Sequence, residues 1–145
     1  MGFRFPLAPV LRFRESIEKR EELALQKVQL EVARVRRRID ELTDELSKAS
    51  DAREKEMQKC LSAYRLQHME AETNAALEAK QTLFATLEAL QRQRDMQMKL
   101  YQAAHGGRQM LTDLLTQTRN EWELDLEKAQ QKRLDDIFAS RLQRN

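Results

Sequence analysis

Residues 28–49 read VQLEVARVRRRIDELTDELSKA. Val28, Val32, Val35, Ile39, Leu42, Leu46 and Ala49 recur there at alternating steps of four and three. On an α-helix such steps keep one apolar stripe in line, the a/d seam of a coiled coil, here for about three heptads. β-Branched residues early in the stripe and Leu further on suit knobs-into-holes packing. A helix with this stripe cannot bury it alone, so the pattern demands a second helix.

Outward from this stretch, Pro9 suits the first turn of a helix, and Pro6 and Pro9 hold the preceding residues extended. Beyond Ala49 the apolar positions become Met57, Leu61, Tyr64 and His68. Reaching them takes four-residue steps through Arg53, a stutter that locally unwinds a supercoil. Helix 1 is expected over about 9–66, some 85 Å at about 1.5 Å per residue. A second, less regular stripe runs through Leu77, Leu83, Phe84, Leu87, Leu90, Tyr101, Leu111, Leu115, Trp122, Leu126, Ala129 and Ile137. The pattern is weakest at 67–73, where Thr73 can cap a new helix with Glu72 near its positive end. The expected fold is all-α: a single elongated hairpin of two long antiparallel helices, with a turn at about 67–73 and helix 2 over about 74–142. His105-Gly106-Gly107 is the strongest local breaker. A turn there would leave much apolar surface uncovered, so the glycines are read as a break or hinge within helix 2, across from residues 34–38. A parallel dimer of continuous helices is the alternative assembly.

Composition agrees. Ala, Glu, Lys, Leu and Arg supply 79 of the 145 residues, a signature of long helices. Between Val10 and His105 there is neither Gly nor Pro. Aromatic residues are 6% of the chain, and a pocketed enzyme would need more loops and a denser core. No apolar run approaches the ~18 residues of a membrane span. Residues 7–11 are too short for a signal-peptide core, and Pro6 stands where a myristoylation motif needs Ser or Thr. Cys60 is the only cysteine and reads as a small apolar helix residue in a reducing compartment.

Chemistry-bearing constellations are not expected. His68 and His105 lie far apart, with no Cys or carboxylate at metal-ligand spacing. Gly106-Gly107-Arg108 matches no phosphate cradle, and no nucleophile–base arrangement can be drawn. No catalytic residue, metal or cofactor is assigned. Arg34, Arg36, Arg37 and Arg38 stand out: residues 1–39 carry a local charge of +5, with 10 Lys/Arg and 5 Asp/Glu, against −4 over 40–56. They read as a solvated face matched to the other helix, or as a docking surface for an acidic protein. No aromatic interleaving points to nucleic acid. Trp122 reads as a seam anchor.

The two ends carry a resemblance. The opening Phe3-Arg4-Phe5-Pro6-Leu7-Ala8-Pro9-Val10-Leu11-Arg12-Phe13-Arg14-Glu15 is similar to the start of the flagellar export proteins of the FliJ family. Arg108, Leu111, Leu114, Arg119, Trp122 and the run Gln131-Lys132-Arg133-Leu134-Asp135-Asp136-Ile137 resemble that family's closing pattern, with Trp122 at its aromatic position and Asp136 in place of a Glu. Gly106-Gly107 departs from the family, which is normally helical and charged there. Injectisome relatives of the YscO kind resemble these termini less. The resemblance implies a non-enzymatic, rotary-stalk-like hairpin of the flagellar type III export apparatus. Implied partners are the hexameric flagellar export ATPase, the cytoplasmic domain of the membrane export gate and export chaperones. Implied location is the cytoplasm, peripheral to the inner membrane at the flagellar base. By position, the ATPase contacts would be Phe5, Leu7, Val10, Leu11, Arg14, Glu15, Gln131, Lys132, Leu134 and Asp135. The gate contacts would be Leu83, Leu87, Leu90 and Arg94, whose steps of four, three and four on one face equally suit plain seam packing. A generic coiled-coil scaffold or holdase-like chaperone, or the injectisome counterpart, is the alternative.

Overall fold

The computed structural model describes residues 2–59 and 62–144. The chain is all-α. Helix α1 spans Ala8–Met57 and helix α2 spans Ala63–Arg144, with no strand among the described residues. The two long helices pack against each other as an antiparallel hairpin. Their contacts fall into two units, one of Met1–Arg20 with Tyr101–Asn145 and one of Glu21–Leu100.

In the unit Glu21–Leu100, the expected seam forms. Leu25, Val28, Val32, Ile39 and Leu42 are buried, with Val35 and Leu46 half-buried between them. On α2, Leu66, Met69, Thr73, Ala76, Lys80, Leu83, Leu87, Leu90, Arg94 and Gln97 are half-buried at unbroken steps of three and four. Lys80, Arg94 and Gln97 occupy seam positions with long polar side chains, whose stems can cover apolar surface. Those residues made the second stripe look irregular in sequence. Gln97 Nε2 donates to Glu21 Oε2 at 2.5 Å and to the Glu21 carbonyl at 3.2 Å. Toward the turn, Arg65 pairs with Glu56 at 3.4 Å.

The turn departs from expectation. Helix α1 ends at Met57 rather than about 66, and α2 starts at Ala63, so residues 67–73 lie inside α2. Ser62 is the cap. Its Oγ accepts from the Arg65 N–H at 3.4 Å, and its carbonyl accepts from the Leu66 N–H at 3.3 Å. Thr73 instead bonds back to the Met69 carbonyl at 3.0 Å, as a mid-helix threonine does. The stutter is also absent. After Leu46 the seam steps regularly through Ala49, Arg53 and Glu56, and the last two are half-buried. Met57 and Tyr64 are exposed, and His68 forms a surface pair with Glu72 at 3.2 Å. Apolar residues diverge from the seam here because the seam itself turns polar. The readings of Cys60 and Leu61 fall outside the described residues.

In the unit Met1–Arg20 with Tyr101–Asn145, Leu11 and Ala104 are buried. Before α1, the Phe5 carbonyl accepts from the Ala8 N–H at 3.1 Å and the Leu7 carbonyl from Leu11 at 2.9 Å, which starts the helix. The Phe3 and Trp122 rings lie 5.8 Å apart and tilted by 55°, so Trp122 is the anchor it was read to be. Gly106 and Gly107 do not break α2, and neither has a positive φ. Gly107 faces Arg14, not residues 34–38: a Cβ built on it would lie 3.6 Å from Arg14 Nη1. The turn lies about ten residues earlier than expected, which shifts the facing residue on α1 by about twenty and brings the start of α1 to the glycines. The stripe expected through Leu126, Ala129 and Ile137 stops at Trp122, because every described residue from 123 to 144 is exposed.

Candidate interaction surfaces

The residues expected to meet an ATPase all lie in the unit that holds both termini, but in two groups. In the first, Leu11 is buried in the seam, Phe5 is half-buried, and Leu7, Val10, Arg14 and Glu15 are exposed. In the second, Gln131, Lys132, Leu134 and Asp135 lie on α2 well past Trp122 and are exposed. Gln131 donates to Asp135 at 3.2 Å along the helix surface. Nine residues separate Trp122 from Gln131, about 13 Å of helix, so α1's first turns and residues 131–135 are not brought together. Leu134, Ile137, Phe138 and Leu142 recur at helical spacing and are 62%, 53%, 68% and 64% exposed. They make the most apolar open stretch of this end.

The same unit holds a polar cluster that the sequence reading passed over. Arg108 Nε donates to Glu18 Oε2 at 2.5 Å, and Nη2 to Oε1 at 3.4 Å. His105 Nδ1 lies 3.3 Å from the same Oε1, and the Tyr101 ring stands 5.9 Å from His105. The Arg108 hydrogen bond, helped by His105, holds the Glu18 carboxylate below its ordinary pKa, and the same bond raises that of Arg108. The available signal was position: Glu18 and Arg108 both continue the three–four step, which turns them toward the facing helix.

The residues expected to meet an export gate, Leu83, Leu87, Leu90 and Arg94, are all half-buried seam positions in the unit Glu21–Leu100. Nearby, Phe84 is 46% exposed and carries Lys80 Nζ 5.9 Å from its ring centroid. Closer to the turn the seam is lined by small side chains. Leu46, Ala49, Ala52, Met69, Thr73 and Ala76 border an open cleft of about 300 Å³. Among the described residues no group of three His, Cys, Asp or Glu could hold a metal, and no helix is long and apolar enough to cross a membrane.

The family model described as flagellar FliJ protein covers residues 3–145. The chain belongs to the FliJ family. It is therefore a component of flagellar protein export, and of motility through it. Both halves of the FliJ resemblance read from the sequence, the Phe3–Glu15 opening and the closing run that ends at Ile137, fall within the matched span. No curated protein and no solved structure matches the chain.

Proposed function

We propose that this FliJ-family chain acts as a stalk-like coupler between the flagellar export ATPase ring and the export gate, without catalytic activity of its own, and that it escorts export chaperones. The observation that carries the reading is the α2 segment beyond Trp122. Residues 123–144 are exposed throughout, yet Leu134, Ile137, Phe138 and Leu142 keep helical spacing. A helical segment that offers a stripe with none of the described residues over it is suited to insertion into another protein. Charged neighbours Lys132, Arg133, Asp135 and Asp136 can set its register there. The exposed residues of the opening, Leu7, Val10, Arg14 and Glu15, add a second contact to the same ATPase. The gate contact lies along the rim formed by Leu83, Leu87, Leu90 and Arg94. The working place is the cytoplasmic side of the inner membrane at the flagellar base.

The test is ATP turnover by the cognate flagellar export ATPase with and without this chain, beside co-elution of the two. Co-elution with a changed turnover rate is expected. A chain that neither co-elutes nor alters turnover removes the coupler reading and leaves a generic coiled-coil scaffold.

A further inference from the structure

The outer face of α1, opposite the seam, carries a stripe of its own. Leu23, Lys27, Leu30, Arg34 and Arg37 follow one another at steps of four, three, four and three. All five are exposed, and the two leucines, one heptad apart, are 52% and 68% exposed. An outer coiled-coil position is ordinarily filled by a polar residue that keeps the helix soluble. Two leucines set about 10 Å apart along one helix face are instead the spacing that a partner helix reads.

The charge around them is mainly positive. Between residues 19 and 38 there are seven Lys/Arg and three acids, Glu21, Glu22 and Glu31. Arg38 is engaged by Glu41 at 3.2 Å and Glu45 at 3.6 Å. Lys27, Arg34 and Arg37 have no carboxylate within ion-pair distance among the described residues. Cations flanking a leucine stripe favour a partner with acids at the matching flanks. The chain's own acidic stretch over residues 40–56 has no exposed large hydrophobic residue, so that stretch of a second copy does not fit the strip.

We propose that the stripe Leu23–Lys27–Leu30–Arg34–Arg37 is a docking strip for an acidic amphipathic helix of another protein, which lays its apolar seam on the two leucines and its Glu or Asp residues on the three cations. The strip shares no residue with the ATPase and gate positions assigned above, so its occupancy does not depend on that reading.

The probe is a fluorescein-labelled 21-residue synthetic helix with Leu on one face at three–four spacing and Glu at the flanking positions. Its control carries Lys in place of Glu. Each is titrated with the full chain and read by anisotropy at low and moderate salt. The acidic helix is expected to bind and the basic one not, with affinity falling as salt rises. Arg34→Glu with Arg37→Glu should weaken binding at least tenfold. Leu23→Gln with Leu30→Gln should do the same, and all four positions are exposed, so circular dichroism should be unchanged. Three results overturn the proposal: no binding, equal binding of the basic helix, or binding that ignores the leucine pair. The last would mark a purely electrostatic anion surface. Stronger retention on anionic lipid vesicles than on the peptide, or a leucine-dependent dimer in sedimentation equilibrium, would likewise replace the proposed partner.

Discussion

Arg108 on α2 reaches Glu18 on α1 with Nε 2.5 Å from Oε2, and His105, one helical turn before Arg108, lies 3.3 Å from the other oxygen. Both Glu18 and Arg108 keep only about a fifth of their side-chain surface exposed, 17% and 20%. The pair thus forms one polar link across the seam of the unit that holds the termini.

The pH dependence of this link has a definite sign. Glu18 titrates lower in the folded chain than in the unfolded one, from an ordinary value of 4.5. Its contribution is therefore fully present above that value, and is lost as pH falls through the lowered folded one. Thermal melting should hold steady near neutrality and fall on acidification below about pH 4.5. Glu18→Gln should melt lower than the parent at pH 7, with the difference shrinking in acid. A difference that stays constant from pH 7 to 3 would show that the carboxylate charge is not what matters.

The glycine pair makes the opposite prediction for stability. Gly106 has open space where a Cβ would go, and Gly107 has ordinary contact distance to Arg14. Both sit in helical backbone without positive φ. Alanine at either should stabilise the chain by about 0.5–1 kcal/mol, since glycine loses more freedom on folding. The melting temperatures of Gly106→Ala, Gly107→Ala and the double variant check this. If the double variant is more stable but impaired in export, the softness of α2 at this point serves function.

These positions also mark how far the sequence could be read. The seam from Val28 to Leu46 was legible because every step is filled by an apolar residue. The turn was not, because the seam carries on through Arg53 and Glu56 while apolar residues diverge from it toward Met57 and Tyr64. Hydrophobicity and position point the same way in the first case and apart in the second. Lys80, Gln97, Glu18 and Arg108 escaped notice as seam residues for the same reason. The FliJ resemblance needed no register at all, since it rests on the terminal motifs. Contact residues for partners were legible only as positions.

The cap supports a direct test of the turn. Ser62→Ala removes the side-chain acceptor at the start of α2 and should cost about 1 kcal/mol. Thr73→Ala, inside α2, should be close to neutral, because its hydroxyl only bonds back to Met69. Urea midpoints of the two variants separate the readings. A larger loss at Thr73 than at Ser62 would put the cap back at the later position.

Seam depth ranks two aspartate substitutions. Ile39 is 6% exposed, so Ile39→Asp places an unpaired charge at the seam centre and should unfold much of the unit Glu21–Leu100. The milder Ile39→Ala should cost about 2 kcal/mol or more. Leu87 is half-buried, and Leu87→Asp should lower melting by less than Ile39→Asp. Gate binding lost without any change in melting would instead make Leu87 a contact residue and not a packing one.

The last prediction separates stability from recognition at the C-terminal side of α2. Ile137 and Phe138 are 53% and 68% exposed, and no described residue of the chain covers them. Ile137→Gln with Phe138→Gln should leave helicity and melting within experimental error, because surface changes of this kind usually shift stability by less than about 0.5 kcal/mol. Trp122→Ala, by contrast, removes the ring that packs on Phe3 and should lower melting measurably. If residues 123–144 enter an export ATPase, the double Gln variant loses co-elution with that ATPase while remaining folded. Retained co-elution, together with loss in Leu7→Gln or Val10→Gln, would move the ATPase contact to the start of α1.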